Sequence, residues 1–104
     1  VSDPVVAGNL GFRAGLVPND TSKDITGQTA DVLSAIDALL AQAGSDKSKL
    51  VDVTIFLADI ADYDGMNVAW DAWVDSANPP ARATIEARLA NAAWKVEIKV
   101  VASR

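Results

Sequence analysis

From Asp24 to Ala43 the apolar residues Ile25, Val32, Leu33, Ile36, Leu39, Leu40 and Ala43 recur at helical spacing, and Gly44 follows them. This is one apolar stripe on a helix of about twenty residues, with glycine as its stop. Thr21, with Asp24 three positions later, supplies a start signal. A helix with a single stripe has to bury it against another layer. The rest of the chain therefore decides the fold.

That layer reads as a sheet. Lys49 to Ala58 alternates, with Val51, Val53, Ile55 and Leu57 on one side and Asp52, Thr54 and Phe56 on the other. Ala83, Ile85, Ala87 and Leu89 alternate with Arg82, Thr84, Glu86 and Arg88. Trp94, Val96, Ile98 and Val100 oppose Lys95, Glu97, Lys99 and Val101. Val5 to Ala14 is apolar but broken by Gly8 and Gly11, which reads as a strand pair or bent strand with a Gly8-Asn9 turn. Gly15 to Lys23 has loop composition. Asp62 to Ser76 carries Tyr63, Met66, Trp70, Trp73 and Val74 at helical spacing, and Pro79-Pro80 blocks continuation.

The order of elements predicts an α+β fold: one sheet with two helices packed on its apolar face. On this reading the other face carries Arg82, Thr84, Glu97, Lys99, Thr54 and Phe56. A polar face of this kind is either wet or the place where subunits meet and a site forms.

The chain has 104 residues, which fits one domain, and no run approaches the ~20 apolar residues of a membrane span. With no secretion signal visible, a cytoplasmic location is expected. The sequence contains no cysteine and no histidine. This excludes disulfides, thiolate nucleophiles, a Ser-His-Asp triad and the usual zinc ligands. Chemistry is left to carboxylates, Lys, Arg, Tyr, backbone groups and ordered water. The formal charge of -5 counts against nucleic acid, whose phosphates need a basic surface. Asp59, Asp62 and Asp64 lack the spacing and the bidentate glutamate of a calcium loop, so no metal is expected.

Several segments, in colinear order from about Val6 to Ala102, resemble the reactive intermediate deaminase (Rid, YjgF-like) family. They are Gln28-Thr29 with Val32-Leu33, Leu39-Leu40 and Ala43-Gly44; Asp52-Val53-Thr54-Ile55-Phe56-Leu57-Ala58-Asp59; Met66-Asn67 with Trp70; Pro80-Ala81-Arg82-Ala83-Thr84-Ile85-Glu86 with Ala87-Arg88-Leu89; and Val96-Glu97-Ile98. The resemblance implies a chorismate-mutase-like subunit, with a mixed sheet and both helices on one face, over residues 1–104. It also implies a homotrimer with clefts between subunits, where small carboxylates such as 2-imino and 2-oxo acids bind. Active members of the family hydrolyse 2-imino or enamino acids to 2-oxo acids and ammonia, without a cofactor.

By motif, the carboxylate-binding arginine falls on Arg82 and the site glutamate on Glu97. The water-holding backbone carbonyl falls on Thr84 and the site-lining asparagine on Asn67. The strand end that carries Ser-Gly in the family is Ala14-Gly15 here, so a hydroxyl is lost. No tyrosine precedes Gly8 to cap the cleft, and Lys99 stands where the family often has a second acid. These departures leave the anchor and admit a second outcome, a trimer that binds carboxylates without turning them over. A third outcome implied by the resemblance, since the family has been labelled RNA-directed, is a ribonuclease or translation inhibitor; the acidic balance and the absence of histidine count against it.

Plain structural readings compete at each position. Arg82 can pair with Glu97 on a neighbouring strand, and Glu97 and Lys99 can be solvated strand residues. Asn67 can be a helix-surface residue. Trp70, Trp73 and Met66 read as helix-sheet packing.

Overall fold

The computed structural model describes Val5, Val6 and residues 11–103. Val5–Val6 (β1) and Phe12–Leu16 (β2) form an antiparallel pair, with Val5 opposite Arg13 and Val6 opposite Phe12. The strand pair read from the sequence is therefore present, while the Gly8-Asn9 turn lies outside the described residues. Leu50–Leu57 (β3), Ala81–Glu86 (β4) and Val96–Ala102 (β5) complete one sheet in the order β1-β2-β5-β3-β4. The sheet is mixed: β3 and β4 run parallel and the other pairs antiparallel. A helix, Ile25–Gln42 (α1), lies between β2 and β3 in sequence, and Tyr63–Trp73 (α2) makes the crossover from β3 to β4. No helix among the described residues is long and apolar enough to cross a membrane.

One face of the sheet is sealed by both helices. Val53, Ile55 and Leu57 of β3 and Val96, Ile98 and Val100 of β5 are fully buried there, with Val32, Leu33, Ile36 and Leu40 of α1 and Met66 and Trp70 of α2. Burial of this kind contributes about 1.5–3 kcal/mol per large aliphatic side chain, which makes this layer the main source of stability.

The helix ends differ from the sequence reading in instructive ways. The start of α1 is set by Asp24 and not by Thr21, because the Asp24 carboxylate accepts the Gly27 N–H at 2.8 Å. Its end matches the expected glycine stop: Gly44 has φ +72° and Ser45 N–H returns to the Leu40 carbonyl at 2.8 Å. Helix α2 stops at Trp73, short of Ser76. The Lys47 ammonium donates to the Trp73 carbonyl at 2.6 Å, and Val74 turns extended.

In β3 a register shift lies between Leu50 and Asp52. It brings Leu50 into the core and leaves Val51 53% exposed, where simple alternation had placed Val51 inside. Gln28 is a buried polar residue with a clear task. Its amide nitrogen faces the Thr21, Lys23 and Ala93 carbonyls at 3.2–3.3 Å, and its oxygen accepts Lys95 N–H at 2.8 Å. It thereby pins the loop before α1 to the turn that feeds β5, and so helps fix where that strand, which carries Glu97, begins.

Candidate functional site

Residues paired across a sheet share a face, so the register decides where each candidate side chain goes. Arg82 lies opposite Val53 and Thr84 opposite Ile55, both core residues of β3. Arg82 and Thr84 therefore stand on the helix side of β4, not on the open side as alternation alone suggested. Glu97 lies opposite Phe56, and Lys99 opposite Thr54, which places these two on the open face. Ala83 and Ile85 share that open face, with Ile85 45% exposed. The reversal has a physical cause. As the edge strand, β4 is covered on its inner side by α2, which presents polar and aromatic groups there in place of an aliphatic wall.

Those groups hold the Arg82 guanidinium. Tyr63, Asn67 and Trp70 recur at positions i, i+4 and i+7 of α2, so they line one stripe. Arg82 Nη1 donates to Asn67 Oδ1 at 2.7 Å and approaches Met66 Sδ at 3.9 Å, while Nη2 donates to Tyr63 Oη at 3.2 Å. Its Cζ lies 5.2 Å from the Trp70 ring centre and 5.8 Å from that of Tyr63, within cation–π range of both. No carboxylate is among its contacts in the described residues, so the charge is held entirely by neutral groups. Of its five N–H donors, Nε–H and one hydrogen on Nη2 are left for another acceptor.

Thr84 follows on the same strand, and its hydroxyl is buried without a hydrogen-bond partner. Ala87 N–H donates to the Leu57 carbonyl, so the odd-numbered residues of β4 point their backbone groups at β3. By alternation the Thr84 N–H and carbonyl point to the free edge of the sheet, beside Arg82.

A second group of candidates collects on the open face. Gly15 lies opposite Lys99, and a Cβ on Gly15 would sit 3.7 Å from the Glu97 carboxylate. Gly15 and Glu97 are thus neighbours. Ala14 is not part of this surface: it lies opposite Val100 and is buried under the helices, so only its backbone is near the site.

The structure brings Arg82, Asn67 and Thr84 together, brings Gly15 and Glu97 together, and keeps the two groups apart. They lie on opposite faces, and β3 separates their strands by two sheet spacings, about 10 Å. An Arg82–Glu97 pair within one chain is excluded. Two depressions of the described surface, of about 600 and 400 Å³, lie elsewhere: one beyond β4 around Glu86, Arg88 and Trp94, the other between α1 and α2. Among the described residues no group of three or more acidic, Cys or His side chains could hold a metal.

The sequence reading missed Tyr63 and assigned Trp70 to packing alone. Trp70 is indeed buried in the core, but its ring also faces Arg82. The spacing that made these residues look like an apolar stripe is the same spacing that builds the cradle.

The fold and the register define an α+β protein whose Arg82 guanidinium is held by neutral groups at the edge of the sheet. Comparison with known proteins then names the family: the chain belongs to the Rid (YjgF-like) family, and the family described as Endoribonuclease L-PSP matches residues 2–104. A RutC family protein of Haemophilus ducreyi is 50% identical over 102 residues, covering 98% of this chain and 87% of that protein. The Reactive Intermediate Deaminase A, chloroplastic, of Arabidopsis thaliana is 32% identical over 108 residues, covering 98% of this chain and 57% of that protein. Among solved structures, a protein from Salmonella typhimurium superposes with a TM-score of 0.96 at 46% identity, covering 100% of this chain and 90% of the other. A YjgF family member from Neisseria meningitidis superposes with a TM-score of 0.84 at 47% identity, covering 88% and 79%.

Proposed function

We propose that the chain hydrolyses 2-imino or enamino acids to 2-oxo acids and ammonia, at a cleft assembled from two copies of the chain. The observation that carries this reading is the Arg82 guanidinium, fixed by Asn67, Tyr63 and Trp70 with no acid to neutralise it. A half-buried cation held by neutral acceptors is poised for an incoming carboxylate, and its planar fork matches one bidentately. Membership of a family with a named deaminase relative supports the reaction class.

Because the two candidate groups occupy opposite faces, a single cleft containing both draws Arg82, Asn67 and Thr84 from one subunit and Gly15 and Glu97 from its neighbour. A homotrimer is the assembly proposed. The open face favours it: Phe56, Ala83, Ile85 and Val101 interrupt the charged residues there, on a chain with little apolar area to spare.

In this cleft Arg82 anchors the substrate carboxylate. The Thr84 carbonyl, on the free edge, accepts a hydrogen bond from water and orients it toward the imine carbon. Glu97 takes a proton from that water as the C–O bond forms and the C=N π pair moves to nitrogen, and passes it to that nitrogen; it then takes the hydroxyl proton as the carbonyl forms, the C–N bond breaks and ammonia leaves. A protonated imine is already electrophilic, so orientation does much of the work and can account for several kcal/mol, up to about 7–11 in ideal systems. The residues supply this chemistry without a metal or organic cofactor.

One observation favours a second reading, a non-catalytic carboxylate-binding trimer. Ala14 brings no hydroxyl and is buried under the helices. The deciding experiment measures ammonia release from a freshly generated 2-imino acid, with RNA integrity as a parallel control. Accelerated release with intact RNA is the expected result. Saturable 2-oxo acid binding without acceleration selects the second reading, and RNA cleavage overturns both.

A further inference from the structure

We infer that Lys99 is the specificity-determining residue of the proposed cleft, pairing with a second carboxylate at the far end of the ligand and so favouring dicarboxylic 2-oxo and 2-imino acids over monocarboxylic ones. This rests on the cleft proposed above, with Arg82 from one copy and Glu97 from the next. Lys99 stands opposite Gly15 on β2 and Thr54 on β3, on the open face that carries Glu97. It is exposed. Two acids are near it on that face, Glu97 two residues before it and Asp52 diagonal to it on β3. Among the described residues it pairs with neither.

A glycine clears the ground between Glu97 and Lys99. A Cβ on Gly15 would lie 3.7 Å from the Glu97 carboxylate and, beyond its chain neighbours, within 4 Å of no other described atom. The Glu97 carboxylate therefore leans over Gly15, toward the row that Lys99 occupies, and the floor there is bare backbone. Glu97 and Lys99 are about 6.6 Å apart along β5, and the lysine stem carries its ammonium about 6 Å from the backbone. With Arg82 on the first carboxylate and Glu97 working at carbon 2, a ligand tail that follows this floor ends beside Lys99. The second carboxylate of a five-carbon diacid lies about 4–5 Å beyond carbon 2, within that sweep. There it gains a charge-assisted hydrogen bond that an apolar tail of the same length does not. A point charge on a flexible stem follows tails of four or five carbons alike, where a rigid fork would select one length.

Calorimetric titration with 2-oxoglutarate and 2-oxopentanoate tests this, because the two differ only in the far carboxylate. Wild type should prefer 2-oxoglutarate by about five- to tenfold. Lys99→Gln should lose that preference by weakening 2-oxoglutarate, and Lys99→Arg should keep most of it. For the corresponding 2-imino acids the loss in Lys99→Gln should fall on KM for the diacid and leave kcat in place. Wild type that binds both acids equally, or Lys99→Gln that keeps the preference, overturns the inference and leaves the Arg82 anchor standing. So does Lys99→Gln that weakens both acids alike or lowers kcat for both imines, since Lys99 then acts through Glu97 or the assembly. Wild type that binds neither acid, or Arg82→Ala that binds as wild type does, overturns the anchor and the inference with it.

Discussion

In β5 the apolar residues Val96, Ile98 and Val100 lie under the helices, and Glu97 and Lys99 face outward. In β4 the senses are exchanged, with Arg82 and Thr84 inside and Ala83 and Ile85 outside. What an alternating strand buries therefore depends on what covers it. Central strand β5 meets an aliphatic wall supplied by α1, and an ion there would be stranded without partners. Edge strand β4 meets Tyr63, Asn67 and Trp70 of α2, which can hold a guanidinium by hydrogen bonds and ring faces. Its displaced apolar side chains then mark the open face as a surface with something to cover.

The sharpest way to break this contrast is to exchange a residue on each strand. Ile98→Ala removes a fully buried side chain and should cost about 2–5 kcal/mol of stability, read from urea denaturation. Ile85→Asp should leave the subunit folded, with a near-native circular dichroism spectrum, while sedimentation shows the proposed trimer falling apart. An Ile85→Asp protein that unfolds as readily as Ile98→Ala would show that β4 is packed like β5.

Binding should follow the cradle. Arg82→Ala should weaken 2-oxo acid binding at least tenfold, since a charge-assisted contact contributes about 1.5–3 kcal/mol. Arg82→Lys should recover little of it, because the ammonium has no fork to offer. Calorimetric titration reads both. Glu97→Gln, on the other strand and face, should leave binding nearly intact and lower turnover, a split visible when calorimetry and imine-hydrolysis kinetics are run on the same preparation.

The smallest effect belongs to neither strand. The Ser48 hydroxyl, followed by the Ser48 N–H, holds the exposed Asp46 carboxyl below the usual carboxylate range. A group whose folded pKa is depressed stabilises the fold above its unfolded pKa of about 4, and that contribution is lost as pH falls through the lower, folded value. Ser48→Ala should therefore lower the urea midpoint slightly at pH 7 and leave it nearly unchanged well into the acid range.

Much of the fold was legible because period and burial agree. The stripe from Ile25 to Leu40 and the alternation in β5 each admit one reading, and the structure has them. Val51 was misplaced because a bulge leaves no mark in a period-two pattern. Thr21 was taken for the cap because its spacing fits, whereas Asp24 has the oxygen at the right place. The candidate site residues were found one by one through motif resemblance, but their grouping was not. Alternation says which residues share a face and cannot say which face a neighbouring helix covers, and that is why Arg82 and Glu97 were expected on one side. Tyr63 stayed hidden because an aromatic at helical spacing looks like packing until the charged partner is seen beside it.

The central claim is that Arg82 and Glu97 act in one cleft although one chain holds them on opposite faces. Complementation tests it most directly. Arg82→Ala and Glu97→Gln proteins, each deficient in imine hydrolysis, are unfolded together, refolded as a mixture and assayed against each variant refolded alone. If each cleft takes its arginine from one copy and its glutamate from the next, random assortment rebuilds about a quarter of the clefts intact, and activity should rise toward about a quarter of wild type. A mixture no more active than the average of the two variants alone would contradict the account.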